Sequence, residues 1–291
     1  MIEVLHYEFM RHALLAGLLA AVVCGVIGTL VIVNRLVFLS GGVAHSAYGG
    51  VGLAFFLGWP YMIGATLFAF GSAMIMAAVS IKSKQRTDTI IGVMWSVGMA
   101  AGILLLDLAP GYNVDLMSYL FGSILSVPAG DLVVMAIVTL VVLLLVAYFY
   151  SDLLLMSYDE EFAEVKGVPV RPLYFMLIGM VAVTVVMVVQ VVGLILVIAL
   201  LTIPPYITEK YTRSLLQMMV FSSLLGMGFI LGGLWASYIY DLTSGAAIIF
   251  VAGTVFFLSL GVDKLIAMKK RRVWLRSHQS LESGRTGIVD S

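Results

Sequence analysis

Charge is scarce in this chain. Only 11% of its 291 residues are Asp, Glu, Lys or Arg, against about 25% in an ordinary soluble domain, and 62% are apolar. That leaves too little polar surface to clothe a water-facing globule, and the mean hydropathy of +1.11 places the chain in a bilayer. Sixteen Lys and Arg balance sixteen Asp and Glu. With no net charge, bulk electrostatics select no partner, and nucleic acid is not expected as one. Cysteine is reduced to Cys24 alone, which excludes an intrachain disulfide and any Cys-based zinc or iron-sulfur cluster. The phosphate loop G-x-x-x-x-G-K-[ST], H-E-x-x-H and G-x-S-x-G are all missing, so the chain is expected neither to hydrolyse ATP nor to be an enzyme. The short alternating segments of a membrane β-barrel are missing too.

What the chain does contain is long continuous apolar runs, at about 9–33, 41–57, 61–81, 89–106, 130–150, 173–203, 215–236 and 244–262. They predict an all-α polytopic bundle of eight or nine membrane segments, forming one transmembrane domain over residues 1–265. Residues 266–291 are read as a tail, basic at first and disordered at its end. The first run lacks a cleavage site after a basic start and is too long for a signal-peptide core, so it is kept as a span. Between the fourth and fifth runs, 116–127 is amphipathic and too short to cross. A re-entrant or interfacial helix is expected there.

The run 173–203 is too long for one crossing: a single helix would extend about 46 Å against a hydrocarbon core of ~30 Å. It either tilts steeply or breaks near Gln190 and Gly193, where a polar residue and a glycine interrupt the Val/Leu series, with Pro204-Pro205 ending the second half. Basic residues collect in cytoplasmic loops, and this decides for the break. With nine spans and a cytoplasmic C-terminus the N-terminus lies outside, and Arg11 is the one Lys or Arg left there. Without the break six of the sixteen fall outside. The outer face then carries Glu3, Glu8, Asp107, Asp115, Asp131 and Asp241, an acidic mouth that concentrates cations. Asp115 is a candidate at that mouth.

A translocation path is suggested by the break itself, since exposed backbone at membrane depth is tolerated where it lines a cavity or is buried in protein. Gln190 belongs to this candidate path. His45, with Ser46 beside it in GGVAHSAYGGVG, is a histidine inside a span. An ionisable group at that depth points to a cavity or a partner helix, and its neutral ring nitrogen suits a divalent metal. A hydrogen bond to Ser or a carbonyl, purely for packing, is the alternative. No second ligand stands at metal spacing beside it, so further ligands must come from other helices. On the inner face, Ser157–Gly167 reads as a short surface helix. Ser157 and Glu160 match a capping box, acids crowd the first turn, Lys166 lies in the last, Gly167 caps and Pro169 blocks continuation. Phe162, Ala163 and Val165 give it an apolar surface for docking a protein.

Three stretches resemble one family. GGVAHSAYGGVGLA (41–54) is similar to the glycine-rich A-H-S/A-x-x-G segment of the zinc and manganese/iron permease family of bacterial and archaeal ABC importers. YDEEFAEVKGVPV (158–170) resembles its D-x-E-F-A-x-x-x-G cytoplasmic segment, and VVGLILVIALLTIPPYIT (191–208) its V-G-x-L-L-V-x-A-L-L-x-x-P stretch. Pro204-Pro205-Tyr206 departs from the family's proline followed by small residues. The resemblance implies the permease subunit of an importer in a prokaryotic cell membrane. Two copies form the path, two ATPase subunits sit beneath, and an external binding protein delivers zinc, manganese or iron. No cofactor is held permanently; the divalent metal is cargo. By the same resemblance Asp159, Glu160, Glu161, Phe162, Ala163 and Gly167 belong to the element that couples to the ATPase. A vitamin or iron-siderophore permease of similar scheme is the alternative, and a secondary cation transporter is a weaker one, since mid-depth acids are missing.

Overall fold

The computed structural model describes residues 8–82, 86–109, 122, 124 and 127–286. Among the described residues there are eleven helices and no strands. They are α1 (Glu8–Val33), α2 (Val37–Leu57), α3 (Tyr61–Lys82), α4 (Thr87–Leu108), α5 (Ala129–Tyr148), α6 (Tyr150–Tyr158), α7 (Glu160–Val165), α8 (Val170–Val192), α9 (Leu194–Glu209), α10 (Leu215–Tyr240) and α11 (Ser244–Thr286). By length and composition seven segments are able to cross a membrane: α1, α3, α4, α5, α8, α10 and the first 22 residues of α11. α2 is long enough, but glycines, His45 and Ser46 hold its hydropathy below theirs. It needs no lipid-facing surface, because most of its residues are buried between α3 and α4. The candidate re-entrant segment 116–127 lies outside the described residues except for Gly122, Ile124 and Val127.

Paired contacts fix the helix directions. Gly50 meets Gly64 while Gly42 meets Met76, so α2 and α3 are antiparallel. Gly42 meets Ile91 and Gly52 meets Gly102, so α2 and α4 are parallel. In this trio backbone touches backbone: a Cβ on Gly49 would stand 2.7 Å from the Gly98 carbonyl oxygen and one on Gly102 2.6 Å from that of Tyr48. Such small-residue seams replace the hydrophobic drive that lipid cannot supply between helices. α1 and α10 form a second close pair, antiparallel, with Gly17 against Ile230 and Gly25 against the backbone of Ser223. α8 runs antiparallel to α3, shown by Tyr174 Oη donating to Ser80 Oγ at 3.1 Å and by Gly179 packing on Phe70.

The long run is divided by a single residue. α8 ends at Val192, Gly193 takes φ 86° and ψ 160°, and α9 begins at Leu194. The chain doubles back there. Gly193 lies against Gly122, whose neighbour Ile124 packs on Gly17 in the first half of α1, whereas Leu201 lies against Gly28 and Thr208 reaches Ser222, itself bonded to Thr29. α9 therefore runs parallel to α1, back toward the end from which α8 started. At ~1.5 Å per residue its 16 residues extend about 24 Å.

These directions sort the basic residues. One end of the bundle gathers the close of α1, α3, α5 and α9, the start of α2, α4, α8 and α10, and all of α6 and α7; it collects the basic residues Arg35, Lys82, Arg86, Lys166, Arg171, Lys210 and Arg213, beside the acids Asp88, Asp152, Asp159, Glu160, Glu161, Glu164 and Glu209. The other end carries Glu8, Asp107, Asp131 and Asp241, with Arg11 3.8 Å from Glu8.

Pro204 and Pro205 do not end α9, as expected, but lie inside it, and the helix continues to Glu209. Each proline removes an i→i−4 bond and crowds the carbonyl four residues before it. The Leu201 carbonyl, which Pro205 leaves without its i→i−4 donor, projects into the gap left by the missing side chain of Gly28, and Thr208 Oγ1 donates to the Pro204 and Pro205 carbonyls at 3.0 and 3.1 Å, bonds separate from those the prolines remove. Contacts divide the chain into units Met1–Val251 and Ala252–Ser291, and α11 is helical through Thr286. Residues 265–283 hold no glycine or proline and many Lys, Arg and Leu, which favour helix over disorder.

Candidate functional site

At the basic end, α7 is a single short turn of helix held by its own ends. Asp159, in extended backbone (φ −151°, ψ 91°), accepts the Phe162 N–H at 2.9 Å through Oδ1. Glu160 and Glu161 fill the first turn, where the helix dipole favours acids. At the far end Gly167 takes φ +82°, its N–H donating to Glu164 O and that of Val168 to Ala163 O, both at 3.0 Å. This is a Schellman closure, in which the left-handed residue is normally glycine.

The capping box is not formed. Ser157 is the last residue but one of α6, and its hydroxyl accepts Asn34 Nδ2 at 2.9 Å, so the cap passes to Asp159, two residues on. The helix is correspondingly shorter than the expected Ser157–Gly167. Ala163 does not contribute to an exposed apolar surface either. It is fully buried and fixes α7 to the bundle, leaving Phe162 (46% exposed) and Val165 (85%) on the outer side. Lys166 Nζ lies 5.5 Å from the Phe162 ring centre. The element thus presents Glu160, Glu161, Phe162 and Val165 outward on a tightly terminated turn.

The candidate path residues are not brought together. His45 stacks on Trp95 of α4, with ring centres 4.0 Å apart and planes 18° apart, and its buried Nδ1 has no hydrogen-bond partner among the described residues. The packing alternative, a bond to Ser or a carbonyl, is therefore not made by that nitrogen. Ser46 turns inward and donates to Gly42 O at 2.7 Å. Gln190 is half-buried near the end of α8 with a buried, unpartnered Nε2. Gly179 shares a level with Phe70 and, through the α2–α3 pairing, with the neighbourhood of His45. Gln190 stands eleven residues further along, about 16 Å away in depth. Asp115 lies outside the described residues. No group of three or more His, Cys, Asp or Glu fit to hold a metal occurs among the described residues.

Two polar features escaped the sequence reading. Ser222 bonds Thr208 at 2.7 Å and Thr29 at 3.4 Å, tying α1, α9 and α10 through buried hydroxyls. The Asn34–Ser157 bond ties α1 to α6. Ser and Thr are common in spans and usually bond their own helix, so only a chain-distant partner distinguishes them.

The comparisons agree with this architecture. An uncharacterized membrane protein, slr2045, of Synechocystis is 48% identical over 260 residues, covering 89% of this chain and 92% of its own. The manganese transport system membrane protein MntC of Listeria monocytogenes is 34% identical over 92% of this chain and 97% of its own. The solved structure of PsaBC from Streptococcus pneumoniae in complex with Fab superposes with a TM-score of 0.80 at 31% identity, over 89% of this chain and 93% of that one. An inward-facing putative metal-chelate type ABC transporter, 19% identical with a TM-score of 0.69, shares the fold. The model of the ABC 3 transport family matches residues 6–263, and with relatives of this identity over nearly their whole length the chain belongs to that family.

Proposed function

We propose that the chain is the membrane-spanning permease subunit of an ATP-driven importer of a divalent transition metal. It works as two copies above two ATPase subunits, with an external binding protein presenting the ion. The observation that carries this reading is α7, a rigidly capped, acid-fronted turn with Phe162 and Val165 exposed, on the end that gathers the basic residues. An apolar and charged surface so placed suits insertion into a partner's groove. Manganese is the leading cargo, supported by the relatives from Listeria and by the manganese import permease ScaB of Streptococcus gordonii, 31% identical over 94% of this chain. Zinc and iron remain the other candidates of the sequence resemblance.

In this reading the basic end is cytoplasmic. α2 and α9 cross as well as the seven segments above, giving nine passages with the N-terminus outside. A tag on the first residues is expected to be reachable in intact cells, and one on the last residues only after permeabilisation. Shielding of the N-terminal tag would reverse the orientation. His45→Ala is expected to lower uptake roughly ten- to hundredfold, the order set by losing a polar contact to a charged group. Unchanged uptake would assign the imidazole to packing on Trp95. The function itself is tested by radioactive uptake into proteoliposomes holding the purified complex, comparing manganese, zinc and iron. ATP-dependent accumulation of manganese first is expected, and uptake of none of the three would refute the proposal.

A further inference from the structure

We propose that Asn34 and Tyr150 are positioning residues that carry displacement of α7 into the bundle, a proposal that rests on the coupling reading of α7. The connection is α6, nine residues long, which joins α5 to α7 and is fastened at both ends. At its first residue, Tyr150 Oη accepts the Leu216 N–H at 3.1 Å. Leu216 is the second residue of α10, where backbone donors have no partner in their own helix. Near its last residue, Ser157 Oγ accepts Asn34 Nδ2 at 2.9 Å, and the same amide donates to Leu30 O at 2.8 Å. Leu153 and Met156 are buried along the inner side of α6.

Asn34 is itself fixed. It closes α1, and the next residue, Arg35, adopts φ +58° in a second Schellman closure, with Arg35 N–H on Ile32 O and Leu36 N–H on Val31 O. A left-handed arginine is strained, and it persists where its surroundings hold it. The amide of Asn34 is therefore aimed at Ser157 by the turn and by Leu30, not by chance of rotamer.

Both anchors lead to the same body. α1 and α10 are the close pair whose seam runs through Gly17, Gly25 and Gly226, and the hydroxyls of Thr29, Ser222 and Thr208 add α9 to it. α7 follows α6 after one residue, Asp159. A push on α7 thus reaches α6, and α6 is bonded to the start of α10 and the end of α1 alike. The two bonds turn a flexible connection into a strut, and the body it drives includes α9, which begins at Leu194, directly after Gly193.

The test uses the complete complex with its ATPase subunits and binding protein in proteoliposomes, measuring manganese uptake and ATP hydrolysis together. Asn34→Ala and Tyr150→Phe are each expected to lower the metal moved per ATP by roughly two- to tenfold, the fold-change of one hydrogen bond, while hydrolysis continues. Asn34→Leu, which keeps the bulk but can neither donate nor accept, is expected to match Asn34→Ala. Ser157→Thr keeps the acceptor and is expected to retain the wild-type ratio. A wild-type ratio in both Asn34→Ala and Tyr150→Phe, or an equal loss in Ser157→Thr, would overturn the proposal. A wild-type complex that accumulates none of manganese, zinc and iron would instead overturn the function proposed above.

Discussion

Gly193→Val is expected to lower the yield of folded transporter sharply. At φ 86° and ψ 160° the backbone stands in a region that essentially only glycine enters, and a β-branched residue there is strained whatever the space around it. The junction is also tied down, since the Gly193 N–H donates to Val189 O at 2.9 Å and Gly122 lies against the backbone of Val192 and Gly193. A strained dihedral costs about 1–3 kcal/mol out of a total stability of about 5–15 kcal/mol. The relief available to the chain is to let α8 run on through Leu194, which would carry Leu201 away from Gly28 and Thr208 away from Ser222. Size-exclusion chromatography of detergent-extracted protein checks this, with a sharply reduced monodisperse peak expected. Gly193→Ala should show the same defect in weaker form. A valine variant with wild-type yield and uptake would remove the reversal at this residue.

Gly167→Pro is expected to abolish uptake while the protein still reaches the membrane. Proline fixes φ near −65°, against +82° here, and deletes the N–H that donates to Glu164 O. The Schellman closure of α7 is lost, and with it the direction in which Phe162 and Val165 point. Nothing in the bundle leans on this glycine, since a side chain at its Cβ would meet no atom within 4 Å. The damage is thereby confined to the surface turn. Asp159→Ala acts at the opposite end of the same turn and is expected to weaken it by about 1 kcal/mol, lowering uptake without eliminating it. The informative comparison is uptake against the amount of protein in the membrane fraction. Full uptake by the proline variant would show that α7 grips nothing, whereas absence of the protein from membranes would point to a folding role instead.

Much of the fold was legible because hydropathy outweighs every other influence on a chain in lipid. The apolar runs at 61–81, 89–106 and 130–150 differ from α3, α4 and α5 by only a few residues. The division of 173–203 was readable from the excess length and from Gly193 standing among Val and Leu. What failed were inferences that treated a local rule as sufficient. Pro204-Pro205 end a helix in isolation, but here Gly28, far away in sequence, leaves room for the Leu201 carbonyl that Pro205 displaces. Ser157 fits a capping box, yet Asn34, 123 residues earlier, takes its hydroxyl. Ala163 looked like part of a sticky surface because a six-residue helix has no periodicity from which to read its buried side. His45 was visible as an unusual residue, but its stacking on Trp95 depends on the parallel packing of α2 on α4, and parallel order is not written in either helix alone.

The seam of α2 has a consequence for descent. At Gly50, Gly52 and Gly102 the first carbon beyond the backbone already collides with a neighbouring main chain, so no compensating change in a facing side chain can make room. Drift elsewhere in the bundle can proceed by paired exchanges of bulk, one helix shrinking as its neighbour grows. Here that route is closed. In distant descendants whose other helices have diverged past recognition, this pattern of glycines should persist as the landmark by which they are still aligned.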